Sequence, residues 1–421
     1  MLVRDPVHGD IELDPQQSAI LDRAEVQRLR GIKQLGTAFL VYPGALHTRF
    51  DHSLGTCAMA QRIVHSLRKR GVAVDASLAR AIGMAALLHD VTHVPFGHTF
   101  EDERRLFPRH DKGARLAWLL DAGLHDALAA HGCDQLVEEL LGARPRRMVP
   151  PWASQVVSST IDADLLDYLR RDAYFAGLAP RYDERVFHYF TVHSDQLCLE
   201  LVRHGMERAD AFSETVQVLR LRYFLTERVY YHHTKVAAGA MISKAVELAQ
   251  HYGRLDEREL LGLTDAQLLD RLRTIPTPHS PDPALVRLVE RLERRQLFKR
   301  GYVLSAEQLD RDTRLEFVRR FHESAHQRQQ AEQALAQAMG CAAADVVVYC
   351  PALTMMKEAR ALAQTANGIH SLDEHDRSGE IRALQARYEA LWRFYVFVPE
   401  EFRQRAASAG REFFGYPSEL R

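Results

Sequence analysis

The sequence predicts a mainly α protein with a small α+β lobe at its C-terminus. Helical periodicity dominates the chain, and strand signals are few and short. The longest helical stretch, residues 214–250, has no Pro and one Gly in 37 residues. It predicts one long helix or two abutting ones. Earlier, residues 24–35 place Val26, Leu29, Ile32 and Lys33 at i, i+3, i+6 and i+7, with Leu35 close by. Residues 77–90 are apolar on most faces, which predicts a buried helix. Residues 158–177 carry a further helical pattern, ended by Gly177. Strands are predicted at 196–202, which alternates, and at 345–351 and 392–399, short β-branched and aromatic runs that each stop at a Pro. The four prolines of 274–283 predict a rigid loop, and the polar run 370–380 an exposed one. Residues 285–300 are basic and amphipathic, a solvated helix face that could also join copies of the chain.

Composition narrows the function classes. The 421 residues are 46% hydrophobic and 26% charged, as in a soluble globular protein of two or three domains, or of one large domain with an appended lobe. A formal net charge of -1 argues against a nucleic-acid binder, although a local basic patch is compatible with it. No apolar run is long enough for a membrane span. The start, MLVRDPVHGDIEL, has charges and a Pro where a secretion signal needs an apolar core. Five scattered cysteines without a CxxC pair predict a reduced, cytoplasmic protein whose thiols serve packing.

Chemistry concentrates in LLHDVTHVPFGH, residues 87–98. His-Asp occurs four times, at His89-Asp90, His110-Asp111, His125-Asp126 and His375-Asp376, so the dipeptide alone says little. The first of these ends an apolar helix, where a buried carboxylate requires a partner. His93 follows one turn later, Pro95 and Gly97 stop the helix, and His98 can swing back. A polar helix end at the surface is the plain alternative. In HTRFDHSLG, Arg49 and His52 share a helix face, and Gly55 permits close helix approach. In IDADLLDYLRRD, Asp164, Tyr168 and Asp172 form one stripe at i, i+4 and i+8. Its plain alternative is a solvated acidic face. Together His52, His89, Asp90 and Asp164 make two imidazoles and two carboxylates, a donor set suited to Fe, Mn, Ni, Co or Zn. A metal so held activates water and polarises phosphoryl oxygens. His93, His98 and His110 add acids or phosphate donors, and Arg49 a fixed positive charge. The combination points to phosphoester hydrolysis.

The order His, His-Asp, Asp is that of HD-domain phosphohydrolases. Six segments in order, RDPVHGDIELDP, EVQRLRGIKQLG, YPGALHTRFDHSLGT, HDVTHVPFGH, IDADLLDYLRRD and RRQLFKRGYV, resemble the deoxynucleoside triphosphate triphosphohydrolases over roughly residues 1 to 310. The resemblance implies an HD-domain core (1–300) and a C-terminal α+β lobe (301–421). It implies a divalent metal (Fe, Mn, Ni, Co, Zn or Mg) on His52, His89, Asp90 and Asp164. His98 would be the general acid, oriented by Glu101 where relatives often have Asp. His93 and His110 would lie against the scissile phosphate, with Asp111 only a neighbour. Arg49 would touch phosphate, Gln34, Tyr168 and Asp172 would hold the sugar, and Arg222 and Tyr230 would line the nucleotide pocket. Asp22, Gln27 and Arg30, with Arg295 and Lys299, match positions that hold an activator nucleotide in regulated relatives. A homo-oligomer without membrane attachment is implied. Leu165 departs from the Lys or Arg common there, and Thr92 and Val94 replace glycines. The departures leave three readings open: a triphosphohydrolase of deoxynucleoside triphosphates (dNTPs), an enzyme for another nucleotide, and a silent nucleotide sensor.

Overall fold

The computed structural model describes residues 1–275, 283–353 and 355–420. Six helices organise it: α1 (Arg49–Lys69), α2 (Ala76–Leu88), α3 (Ala163–Phe175), α4 (Ala209–Leu225), α5 (His233–His251) and α6 (Ala325–Met339). Local chemistry fixes where the first three begin. The Thr48 hydroxyl accepts from the Asp51 amide and the Asp51 carboxylate accepts from the Thr48 amide, a reciprocal cap that starts α1 one residue before Arg49. Asp75 caps α2 through the Leu78 amide at 2.7 Å. Asp162 caps α3, accepting from the amides of Leu165 and Ser159. That capture makes 158–162 a turn, so the helix is shorter than the sequence pattern suggests.

Other elements also differ from expectation. Of 24–35, only Ala24–Gln27 is α-helical, followed by a tight turn at Arg28–Gly31. The next backbone is drawn away: the Lys33 amide donates to Asp265 at 3.0 Å. A Cβ on Gly31 would lie 2.3 Å from the Thr264 side chain, so no larger residue fits there. Val26, Leu29 and Ile32 are nonetheless fully buried. Residues 214–250 are two abutting helices, α4 and α5, joined by a wide turn at Thr226–Tyr230. The run 370–380 is not an exposed loop: Leu372–His375 is helical with Leu372 fully buried, and buried Asp376 accepts from the Glu380 and Arg382 amides. Residues 276–282 of the Pro-rich segment lie outside the described residues. The amphipathic stretch is helical over Pro283–Glu293, and Leu285, Leu288, Val289 and Leu292 bury against α5 within this chain.

Strands are found where the sequence reading placed them, at Gln196–Glu200, Val347–Tyr349 and Arg393–Val398. The last is the centre of a three-stranded antiparallel sheet with Lys299–Ser305 and Val347–Tyr349 on its flanks. This sheet serves two cores by its period of two. Val347, Tyr395 and Phe397 face α5, while Val348, Phe394 and Val396 face α6. A third core joins α1 to α4, and residues 356–388 return to it. There Leu362–Thr365 pairs in parallel with Gln196–Glu200. A boundary at 300/301 therefore falls inside a strand, and the last 120 residues contribute to more than one core. All five cysteines are free. No helix among the described residues is long and apolar enough to cross a membrane.

A buried charge network holds the parts together. Arg104 pairs with Glu332 of α6 at 2.8 Å and with Glu247 of α5, which also takes Arg328; Lys244 completes the set on Glu332. Burial opposes ionisation of Glu332, but Arg104 and Lys244 hold its carboxyl down to about 2. The unfolded value is about 4.3. The stabilisation is thus complete above about pH 5 and lost as pH falls toward 2, about 3 kcal/mol from this group. The urea midpoint is expected to fall steeply across that window. Glu332→Gln is expected to be less stable throughout, with a flatter profile. A wild-type midpoint independent of pH there contradicts this account.

Candidate active site

α1, α2 and α3 bring four predicted donors to one point. His52 projects from the first turns of α1, His89 and Asp90 stand just past α2, and Asp164 is in the first turn of α3. The Nε2 atoms of His52 and His89 are 3.2 Å apart. Asp164 Oδ1 is 2.9 Å from the first and 3.8 Å from the second. Asp90 adds Oδ1 at 3.4 Å from His89 and Oδ2 at 3.9 Å from His52. Each ring's other nitrogen is already satisfied: His52 Nδ1 by Asp167 at 2.6 Å, and His89 Nδ1 by the Ala86 carbonyl at 2.7 Å. With the protons on Nδ1, both Nε2 lone pairs face the carboxylates, the arrangement of a divalent metal site. His52, His89 and Asp164 offer ligand atoms all within 4.8 Å of one another. The centre favours positive charge. Burial lowers the His52 imidazolium, yet hydrogen bonds to Asp164 and Asp167 raise it to about 10 when a proton is the only cation there.

Beside this centre, His93, His98 and His110 gather around Glu101. The rings of His93 and His110 are 3.8 Å apart, and His98 meets His93 edge-on at 4.6 Å. Glu101 reaches His98 Nδ1 at 3.1 Å and is anchored by Arg115 at 2.8 Å, so its longer side chain is accommodated. Burial works against the Glu101 charge, but His98, His110 and Arg115 hold its carboxyl down to about 2. Burial, Arg49 and His110 hold the His93 imidazolium far down; burial and His98 push His110 to about 3. Both rings are neutral donors at ordinary pH. These four residues could themselves hold a cation. The neighbouring carboxylates do not join them: Asp102 is exposed near Arg109, and Glu103 is buried against Gly239. Asp111 is exposed and bonds Arg109.

Arg49 is buried and donates to Asp90 at 2.6 Å. Gly97, at φ 61°, leaves room for it, since a Cβ there would lie 2.4 Å from the guanidinium. Both groups open on a cavity of about 1090 Å³. On its far wall Tyr230 donates to Asp172 at 2.7 Å, and Asp172 also meets His47 at 2.9 Å. Arg222 lies 5.5 Å from the Tyr168 ring and 5.1 Å from that of Tyr230, and donates to buried Glu358 at 3.2 Å. Gln34 lines the same cavity. Buried polar atoms without a hydrogen-bond partner among the described residues lie in its wall, Gln34 Oε1, Arg49 Nε and His110 Nδ1 among them, while His93 is fully buried against His110 and does not line the cavity. Such atoms are rare in native interiors and mark a place for a polar ligand. Leu165 is buried in the α1–α3 core and, with buried Thr92, lines the cavity, while Val94 packs into the core around α5.

The activator-type residues have local partners. Gln27 donates to the Leu21 carbonyl and accepts from Arg30, whose guanidinium also stacks 3.5 Å from the Phe50 ring. Asp22 is exposed. Arg295 is exposed and donates twice to the Leu40 carbonyl, and Lys299 is exposed beside Glu400.

Sequence reasoning missed the support behind the predicted metal ligands. Asp167 is fully buried and bonds His52, His8 Nε2 at 2.6 Å and the Arg171 guanidinium. Its place one turn after Asp164 on α3 was the available signal; His8, 159 positions away, gave none. Gly55 was read correctly. A Cβ there would lie 1.8 Å from Asp167 Oδ1, so α1 and α3 touch through this glycine.

Comparisons with known proteins agree with this geometry. The family described as HD domain matches residues 49–172, from Arg49 to Asp172, and that described as HD associated region matches 185–420. The chain is 28% identical over 407 residues to an uncharacterized protein of Methanocaldococcus jannaschii, covering 95% of this chain and 79% of that one. It is 28% identical over 353 residues to the deoxynucleoside triphosphate triphosphohydrolase SAMHD1 of Bos taurus, covering 71% of this chain and 58% of that protein. The fold matches a crystal structure named as a phosphohydrolase from Bacteroides thetaiotaomicron with a TM-score of 0.71 at 22% identity, over 95% of this chain and 100% of that one. The chain thus spans little more than half of the bovine triphosphohydrolase but nearly all of the solved fold, and it belongs to the family of HD-domain proteins that carry an HD-associated region.

Proposed function

We propose that the protein is a metal-dependent hydrolase of dNTPs that releases deoxynucleoside and triphosphate. The observation that carries this reading is the single cavity in which a His-His-Asp-Asp centre meets a Tyr-Asp-Arg wall, with unpartnered buried donors and acceptors between them. His52, His89, Asp90 and Asp164 would hold a divalent metal, which would supply Lewis-acid activation of water and of the phosphoryl group.

The remaining work falls to the chain. His98, with Nδ1 held by Glu101, presents Nε2 to the cavity and gives its proton to the departing 5′-oxygen. Neutral His110 donates to a phosphate oxygen without competing for that proton, and His93, packed against His110 with Nε2 3.1 Å from Asp90, backs it. Arg49, fixed by Asp90, sets a positive charge beside them. Gln34, Tyr168 and Asp172 orient the sugar, and Arg222 and Tyr230 close the opposite side. Asp22, Gln27, Arg30, Arg295 and Lys299 would hold an activator nucleotide.

A second reading, hydrolysis of another nucleotide, is favoured by one observation: Leu165 adds an apolar side chain where a triphosphate would gain from a cation. A panel of dNTPs, NTPs, nucleoside monophosphates and dinucleotides with Mn²⁺ or Fe²⁺, resolved by chromatography, tests both. Equimolar deoxynucleoside and triphosphate are expected. Turnover confined to monophosphates or dinucleotides gives the site to the second reading. A protein that binds nucleotide but purifies without metal and turns nothing over is a sensor.

A further inference from the structure

We propose that Lys357, carried by the HD-associated region, is the cation that binds the distal phosphates of the substrate. A triphosphate brings several negative charges into the cavity, and each needs a counter-charge or a donor. Two cations of the wall are already engaged: Arg49 by Asp90, and Arg222 by Glu358. Leu165 packs into the core and offers no charge.

Lys357 differs from these. It lines the cavity, is exposed, and its side chain has no hydrogen bond or ion pair among the described residues. It lies within electrostatic reach of buried Asp162, the cap of α3, two residues before the metal ligand Asp164. The next residue, Glu358, is 1% exposed and holds the Arg222 guanidinium. One short turn, Lys357–Arg360, thus buries a carboxylate that steadies Arg222 and leaves an exposed lysine on the cavity wall. The wall near Leu165 regains from a distant segment the charge that α3 does not supply.

This subsite rests on the triphosphohydrolase reading, yet tripolyphosphate binding tests it separately. Calorimetry of inorganic tripolyphosphate against the metal-loaded protein is the primary measurement. Lys357→Met is expected to weaken its Kd about tenfold, as for one lost charge-assisted contact, and Lys357→Arg to restore it to within about threefold. KM for a dNTP should rise by a similar factor, with kcat changed less than about twofold. The exposed position predicts an unchanged melting temperature. Lys112→Met, on the His110 side of the cavity, is the comparison. An unchanged Kd in Lys357→Met overturns the subsite, as does a wild-type protein that fails to bind tripolyphosphate. Binding that depends on Lys357, in a protein that releases no triphosphate from dNTPs, supports the subsite and overturns the triphosphohydrolase reading instead.

Discussion

Replacing His89 with Ala is expected to remove the metal and to lower turnover by at least about a thousandfold, while the fold survives. The loss of a partner that merely orients a ligand costs about 10- to 100-fold in metal affinity. Loss of the ligand itself exceeds that, and the reaction depends on the metal for its nucleophile. His89 sits just past the end of α2, is partly exposed to the cavity and makes one backbone hydrogen bond. Its truncation therefore opens no large hole in the core. Metal content by plasma mass spectrometry, turnover and circular dichroism form the test. Wild-type turnover by a His89→Ala protein would refute a metal role for this residue. The same preparation bears on the sensor reading: nucleotide binding that persists without metal shows that the cavity wall alone recognises the substrate.

Gly55→Ala is expected to be nearly as damaging, although Gly55 touches neither metal nor substrate. The added methyl would lie 1.8 Å from Asp167 Oδ1 and 2.3 Å from an Arg171 nitrogen, so α1 and α3 must part or the carboxylate must turn. Asp167 is fully buried with His8, His52 and Arg171. Breaking such a set leaves charges buried without partners, at a cost of about 3–5 kcal/mol. His52 also loses the acceptor that holds its proton on Nδ1. Lower stability in denaturant titration and weaker metal binding should appear together. Asp167→Asn separates the two effects: it keeps the shape, so metal affinity should fall about 10- to 100-fold with a smaller loss of stability. A Gly55→Ala protein that melts and binds metal like wild type would show that the close approach does not position His52.

The predicted metal ligands were legible because each sits at a marked place on a helix. His89 and Asp90 end an apolar run, His52 follows a cap, and Asp164 follows another. Local pattern ends there. The helix expected at 24–35 yields to a long-range hydrogen bond, from Lys33 to Asp265, that no periodicity encodes. The plain acidic-face reading of the α3 stripe fails because Asp172 is drawn inward by His47 and Tyr230. His8 and Asp167 meet across 159 positions, and Arg222 and Glu358 across 136. Such pairs depend on how the chain returns to itself. Residues 356–388 were assigned to a separate lobe for the same reason: their return to the first core rests on pairing between Gln196–Glu200 and Leu362–Thr365, two strands of different regions.

Arg104 lies six residues after His98, within the stretch 49–172 that matches the HD domain, yet its carboxylate partners Glu247 and Glu332 both lie beyond that stretch. A fragment cut at residue 172 would leave this guanidinium without its carboxylates, six residues from the proposed general acid. Such a fragment is therefore expected to lose the geometry around His98, and substitutions of Glu247 in α5 or Glu332 in α6 are expected to reach that segment through Arg104.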